Sequence, residues 1–198
     1  IGILNVPAPY FKDAQTVRGT ETYPMWRDDA GSWQQTDTGE VYQGTILEHL
    51  LIQQLAAFYE VGAHNICRLR GADWNDALDM ASENGESVAF TCAYAGNLRD
   101  LALLLRQLSQ TAGQENAVLL EETRTLLASG RSLYESAEQK TALLHTYARQ
   151  CAHSVSGRAI SVPLAALADD LDSKSTWLMG HLRRQEWIDG GEGEGWFN

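Results

Sequence analysis

The chain has 198 residues, 44% hydrophobic and 21% charged. That balance suits one globular domain or part of a larger one, and it excludes disordered, collagen-like and low-complexity chains. A net charge of −11, from 26 acids against 15 bases, repels phosphate backbones and anionic lipid surfaces, so neither nucleic acid nor a membrane is an expected partner. The longest uninterrupted apolar runs, such as Leu101 to Leu105, are too short to span a bilayer, and the opening Ile1-Gly2-Ile3-Leu4 carries no basic region, so no signal peptide is expected. Three cysteines, Cys67, Cys92 and Cys151, share no metal-ligand spacing. Their odd number and low density predict reduced thiols in a cytoplasmic setting, with Cys92 and Cys151 buried as packing groups. The chain opens without Met and closes on Trp196-Phe197, two large aromatics that need something to pack against, so a piece of a longer polypeptide is expected.

Residues 1–44 read as an irregular lead-in. They hold Pro7, Pro9 and Pro24 with Trp26 and Trp33, and they lack helical periodicity. Residues 45–62 read as a helix. Thr45 is the N-cap with Glu48 three residues on, a capping box, and Ile46, Leu47, Leu50, Leu51, Leu55 and Phe58 share one face. Gly62 is expected to close it in a left-handed conformation. In residues 63–85 the apolar pattern fails and acids, amides and Trp74 crowd together, as in a functional loop.

Residues 86–198 read as helical. One helix spans about 86–109, with Val88, Phe90, Tyr94, Ala95, Leu98, Leu101, Ala102, Leu105 and Leu108 on its buried side. Helices around 115–127 and 138–153 follow, broken at Gly130 and Gly157. The last runs from Pro163 to about Trp187, with a possible interruption at Asp172-Ser173. Asp169, Asp170 and Asp172 read as a solvated helix face, and Gly191 to Gly195 as a flexible acidic turn. Strand signals are nearly absent, so the expected class is all-α, with five helical segments that suit a helical barrel.

The acids of the 63–85 loop do not make an EF-hand: with Asp73 and Asn75 as its first and third positions, Ala77 and Leu78 stand where an oxygen ligand and a glycine are required. His49, His64, His145, His153 and His181 are scattered without zinc spacing, so no metal is expected. There is no phosphate-binding P-loop, dinucleotide fingerprint or nucleophile elbow. What remains is Asp73-Trp74-Asn75-Asp76. An indole face stacks on a sugar ring while acids and amides bind its hydroxyls. A carboxyl held against an apolar wall has its pKa raised, which suits the general acid of glycosidic bond cleavage. The structural alternative is a polar loop in which Asp73 caps a short helix and Trp74 fills the core. Thr45 and Glu48 read first as a cap, and Glu48-His49 as pocket residues is the lesser reading.

Leu69-Arg70-Gly71-Ala72-Asp73-Trp74-Asn75-Asp76-Ala77-Leu78, followed by Gly85-Glu86-Ser87, resembles the active-site signature of the cellobiose phosphorylase group, inverting glycoside phosphorylases of glycoside hydrolase family 94. Upstream, Gly44-Thr45-Ile46-Leu47-Glu48-His49 is similar to that family's helix start, and Gln185 to Ile188 and Gly195 to Asn198 are similar to the segment before its next block. The resemblance runs from about Val6 to Asn198. It implies the middle portion of an (α/α)6 barrel, with Asp76 as catalytic general acid and Trp74 lining the sugar subsite. Asp73, Asn75 and Arg70 would shape the pocket or bind hydroxyls, and Glu86 would stand behind them as a supporting residue. It implies inorganic phosphate as co-substrate and no cofactor.

The resemblance also places the family's phosphate-binding and further sugar-binding groups outside this chain, so the chain taken alone is expected to be inactive. Association with the rest of its own polypeptide, or a homo-oligomer, would cover its open helical seams. Ala77-Leu78-Asp79 differs from the cellobiose-specific pattern, which leaves the disaccharide open. Two alternatives remain: a glycoside hydrolase of helical-barrel type, which needs a second carboxylate, and a non-catalytic helical module of a larger carbohydrate-active protein.

Overall fold

The computed structural model describes residues 7–9, 34–69, 84–152, 154–192 and 194–197. Among them are five α-helices: α1 (Ile46–Tyr59), α2 (Val88–Ala112), α3 (Arg131–Glu135), α4 (Ala137–Cys151) and α5 (Leu164–Gln185). The fold is mostly helical but not all-α. Six strands form three two-stranded antiparallel sheets: β1 (Pro7–Pro9) with β2 (Gln43–Thr45), β3 (Asn116–Leu120) with β4 (Ala159–Pro163), and β5 (Trp187–Gly191) with β6 (Glu194–Phe197).

Thr45 caps α1, its hydroxyl accepting the Glu48 N–H at 3.1 Å. Leu47, Leu51, Leu55 and Phe58 are buried, whereas Ile46 and Leu50 are exposed, so the core stripe is narrower than expected. The helix stops at Tyr59, and Gly62 is not left-handed; a different contact, described below, explains this glycine. Ser87 caps α2 by accepting from Phe90 N–H at 3.1 Å, and Gly113 ends it at φ 62°.

Ala95, Leu98, Leu101, Ala102 and Leu105 of α2 face the core, and α2 packs most extensively along α5. The Ser175 hydroxyl crosses that seam to the Ala95 carbonyl at 2.7 Å. Phe90, expected on the buried side, is exposed. By length and composition alone α2 could cross a membrane, although it had no long uninterrupted apolar run. Its core face against α5, and Arg99, Asp100 and Arg106 along its length, are those of a helix in a packed domain.

The helix expected at 115–127 is β3 followed by a 3₁₀ turn, Glu121–Thr125. Its strand character depends on a partner far along the chain: Asn116 pairs with Pro163 and Leu120 with Ala159. Ala117 and Leu119 point inward and Val118 outward, the alternation of a half-buried strand. α5 runs without interruption through Asp172-Ser173. There Asp169 and Asp172, one turn apart, both accept from Arg106 Nη2, at 3.0 and 3.3 Å. Asp170 leaves the solvated face and turns inward to Lys174. Gly191, Glu194 and Gly195, expected in a flexible turn, belong to the β5–β6 hairpin, in which Gly195 leaves room for the Trp187 ring; a Cβ there would overlap it.

Within the core an aromatic cluster joins α1, α3 and α5. Phe58 meets the rings of Tyr59, Tyr134 and Trp177 edge-on at 5.0, 5.2 and 6.1 Å. Burying Phe58 completely contributes about 1.5–3 kcal/mol. The Tyr59 hydroxyl reaches the Ala128 carbonyl at 2.7 Å and ties α1 to the approach to α3.

Candidate active site

The segment that carries the aspartate–tryptophan motif springs from a short antiparallel stem. Ser87 N–H donates to the Cys67 carbonyl at 2.9 Å, Arg68 and Glu86 form a bridge, and Leu69 N–H donates to the Gly85 carbonyl at 2.8 Å. The chain therefore leaves at Leu69 and returns at Gly85 to one place, at the cap of α2. Thr91 fastens that place to the helix: its hydroxyl donates to the Ser87 carbonyl at 2.6 Å and accepts from Cys67 N–H at 2.9 Å. Arg70, Asp73, Trp74, Asn75 and Asp76 lie outside the described residues.

Glu86 is described, and its carboxylate faces the 62–66 turn. Both oxygens accept from His64 N–H at 3.1 Å, and Oε1 accepts from Ile66 N–H at 3.3 Å. Gly62 sits directly under this carboxylate, where a Cβ would overlap the Glu86 side chain. The glycine is thus required by close approach, not by dihedral angle. Asn65 takes the left-handed position of the turn, at φ 61°, and its amide donates to the Tyr134 carbonyl at 3.0 Å.

The turn is also bolted to the end of α5. His64 Nδ1 meets Glu186 Oε1 at 2.9 Å, and His181 Nε2 donates to the His64 carbonyl at 2.8 Å. Glu186 is buried while the His64 ring is largely exposed. The hydrogen bond that His64 donates to Glu186, then the Glu186 charge, raises the His64 pKa above the ordinary 6.5. His181 in turn stacks on Trp177, with centroids 4.7 Å apart and planes 15° apart.

Glu48 does more than cap a helix. It is 1% exposed, and its carboxylate accepts from Leu120 N–H at 2.9 Å and from the Tyr42 hydroxyl at 3.1 and 3.2 Å, joining α1 to β3. Sequence reasoning missed this, although the spacing Glu48, Leu51, Ile52, Leu55, Tyr59 puts the carboxylate on the buried stripe.

Among the described residues no group of three or more His, Cys, Asp or Glu side chains is placed to hold a metal ion. All three cysteines are free. Burial pushes the Cys67 thiol up to about 11 and the Cys151 thiol up to about 12, so both are unreactive packing groups, whereas Cys92 is only half-buried. Two open surface hollows, one beside Arg124 and Arg158 and one beside Arg131 and Arg184, are lined by residues other than the stem.

A family profile described as "Glycosyl hydrolase 94 superfamily, catalytic domain" matches residues 14–135, more than half of the chain. The chain belongs to the glycosyl hydrolase 94 superfamily. The matched stretch includes α1, the stem, the motif segment between Leu69 and Gly85, and α2 through α3. No curated protein matches the chain. Membership of the superfamily points to a carbohydrate-active enzyme, and the stem with its Glu86 clamp stands where the motif segment leaves at Leu69 and returns at Gly85.

Proposed function

We propose that this chain is part of the catalytic domain of an inverting glycoside phosphorylase, of the cellobiose phosphorylase type, acting on a β-linked glucoside or disaccharide. The observation that carries the reading is the family match across the Asp73-Trp74-Asn75-Asp76 and Gly85-Glu86-Ser87 segments. The reading completes the helices into an (α/α)6 barrel and has the rest of the polypeptide, or a second copy, cover the exposed Phe90, Leu103 and Val118.

In this reading an oxygen of inorganic phosphate attacks the anomeric carbon from the face opposite the glycosidic bond. That bond breaks as Asp76 gives its proton to the departing oxygen, leaving an α-sugar 1-phosphate and a free acceptor sugar. Phosphate is already a competent nucleophile, so one carboxyl suffices where an inverting hydrolase needs two. In reverse, the Asp76 carboxylate takes the proton of the acceptor hydroxyl. Trp74 stacks on the transferred sugar, while Asp73, Asn75 and Arg70 bind its hydroxyls. Glu86, engaged with two backbone amides, supports the base of the segment and does not touch sugar.

Asp76→Asn tests the assignment because the two side chains are nearly the same shape. Turnover of the intact polypeptide should fall by several orders of magnitude with its melting temperature unchanged. Retained turnover would remove Asp76 from the role. The hydrolase reading is favoured only if sugar release proceeds at full rate without phosphate.

A further inference from the structure

The chain contains twelve arginines and three lysines, Lys12, Lys140 and Lys174. Both described lysines are in the core, each 0% exposed. Arginine keeps its proton under all ordinary conditions, whereas a buried lysine readily gives one up.

Lys140, on α4, points its Nζ between two ring faces, 4.2 Å from the Phe58 centroid on α1 and 4.0 Å from that of Trp177 on α5. Its Nζ has no hydrogen-bond partner. An ammonium there would leave all three of its donors unsatisfied and away from water. Nor is a counter-charge at hand. Asp170 of α5 is taken by Lys174, whose Nζ lies 2.5 and 2.6 Å from the carboxylate oxygens and 3.1 Å from the Ala128 carbonyl.

Lys174 also faces Phe58, Tyr59 and Tyr134, at 5.6, 5.8 and 5.5 Å. A charged Lys140 would therefore place a second cation against a ring that already serves one. The remaining titratable groups around the cage are two phenols, a thiol and an imidazole. Tyr59 of α1 and Tyr134 of α3 are phenols whose pKa values burial raises, the Cys67 thiol of the stem is pushed up to about 11, and His181 of α5 lies behind Trp177.

Ring faces attract a cation, and that opposes the trend. They replace only part of the lost hydration and supply no hydrogen bonds, so burial, opposed by the Cys67 thiol and aided by Lys174, lowers Lys140 to about 7. We propose that Lys140 is a proton switch built into the core: a neutral amine in the folded chain, whose protonation loosens the Phe58–Trp177 seam between α1, α4 and α5. The seam adjoins the motif stem through Trp177, His181 and the His64 carbonyl. The inference stands on the cage alone and is independent of the proposed reaction.

The linkage has a definite sign. Unfolded, the amine holds its proton up to about 10.5; folded, only up to about 7. Between those values the unfolded chain binds more protons, so Lys140 makes stability rise with pH there and has no further effect below about 7.

The test is calorimetric unfolding of the intact polypeptide near pH 8.5, in Tris and in HEPES, whose ionisation enthalpies differ. Wild type should take up about one proton more on unfolding than Lys140→Met. The variant should also melt higher, by a margin that widens as pH falls from 10 towards 7 and then levels. A variant that releases or takes up the same protons as wild type, and melts lower at every pH, would overturn the proposal in favour of a cation held by the rings. Should Lys140→Met not fold, NMR of the wild-type lysine Cε signals decides the matter. One signal titrating near pH 7 supports the switch, and all signals titrating near 10 refute it.

Discussion

Replacing Glu48 with Ala should unfold the protein at a markedly lower temperature. Its carboxylate is 1% exposed and takes a hydrogen bond from Leu120 N–H at 2.9 Å and another from the Tyr42 hydroxyl at 3.1 Å. Hydrogen bonds to a charged group contribute about 1.5–3 kcal/mol each, and truncation also strands the Leu120 amide in the core, so the cost is about 3–5 kcal/mol. For a chain of this size that is a fall in melting temperature of roughly 10 °C. Glu48→Gln keeps the shape and one acceptor, and should lose about half as much.

Circular dichroism melts give the temperatures, and hydrogen exchange at Leu120 shows where the loss falls. The Tyr42 phenol supplies a second signal: burial and then the Glu48 charge raise its pKa, so it should titrate lower in Glu48→Ala. Melting within about 1 °C of wild type, with Leu120 exchange unchanged, would mean the carboxylate does not carry the α1–β3 junction.

Two further outcomes follow from the stem. Gly62→Ala forces a Cβ into the Glu86 side chain, so the carboxylate must leave the His64 and Ile66 amides; faster exchange at both amides is expected, and unchanged exchange would refute the clamp. His64 should titrate above 6.5 in wild type and nearer 6.5 in Glu186→Gln. Because the folded value is raised, the pair's stabilisation is complete below the unfolded value and is lost as pH rises through the folded one. The exposed ring makes it weaken with salt. Equal midpoints in the two proteins would dismiss the pair.

Local signals made much of this legible. The Thr45 and Ser87 caps and the Pro163 start of α5 follow from neighbouring residues, and the structure bears them out; of the apolar stripes it buries only part, leaving Ile46, Leu50 and Phe90 exposed. β3 has the local pattern of a helix, and its reason for being a strand is β4, far along the chain. Gly62 suggests a left-handed turn by its position after a helix, but its reason is Glu86, 24 residues on.

The buried charges are a different case, since their spacing was available. Lys140 falls in line with Leu144, Tyr147, Ala148 and Cys151, and Lys174 with Leu167, Leu171 and Leu178. A charged residue on an apolar stripe was passed over because charge alone suggests solvent. For the candidate site, the motif pointed to the family, while the stem beneath it depends on backbone contacts that no residue pattern spells out.

The central claim, that phosphate and not water accepts the sugar, is tested most directly by the reverse reaction. The intact polypeptide is given α-glucose 1-phosphate with a panel of sugar acceptors, and phosphate release is followed beside Asp76→Asn. Release that needs an acceptor and vanishes in the variant is the predicted result. A folded protein that releases no phosphate with any acceptor, yet hydrolyses a β-glucoside at the same rate with or without phosphate, would contradict it.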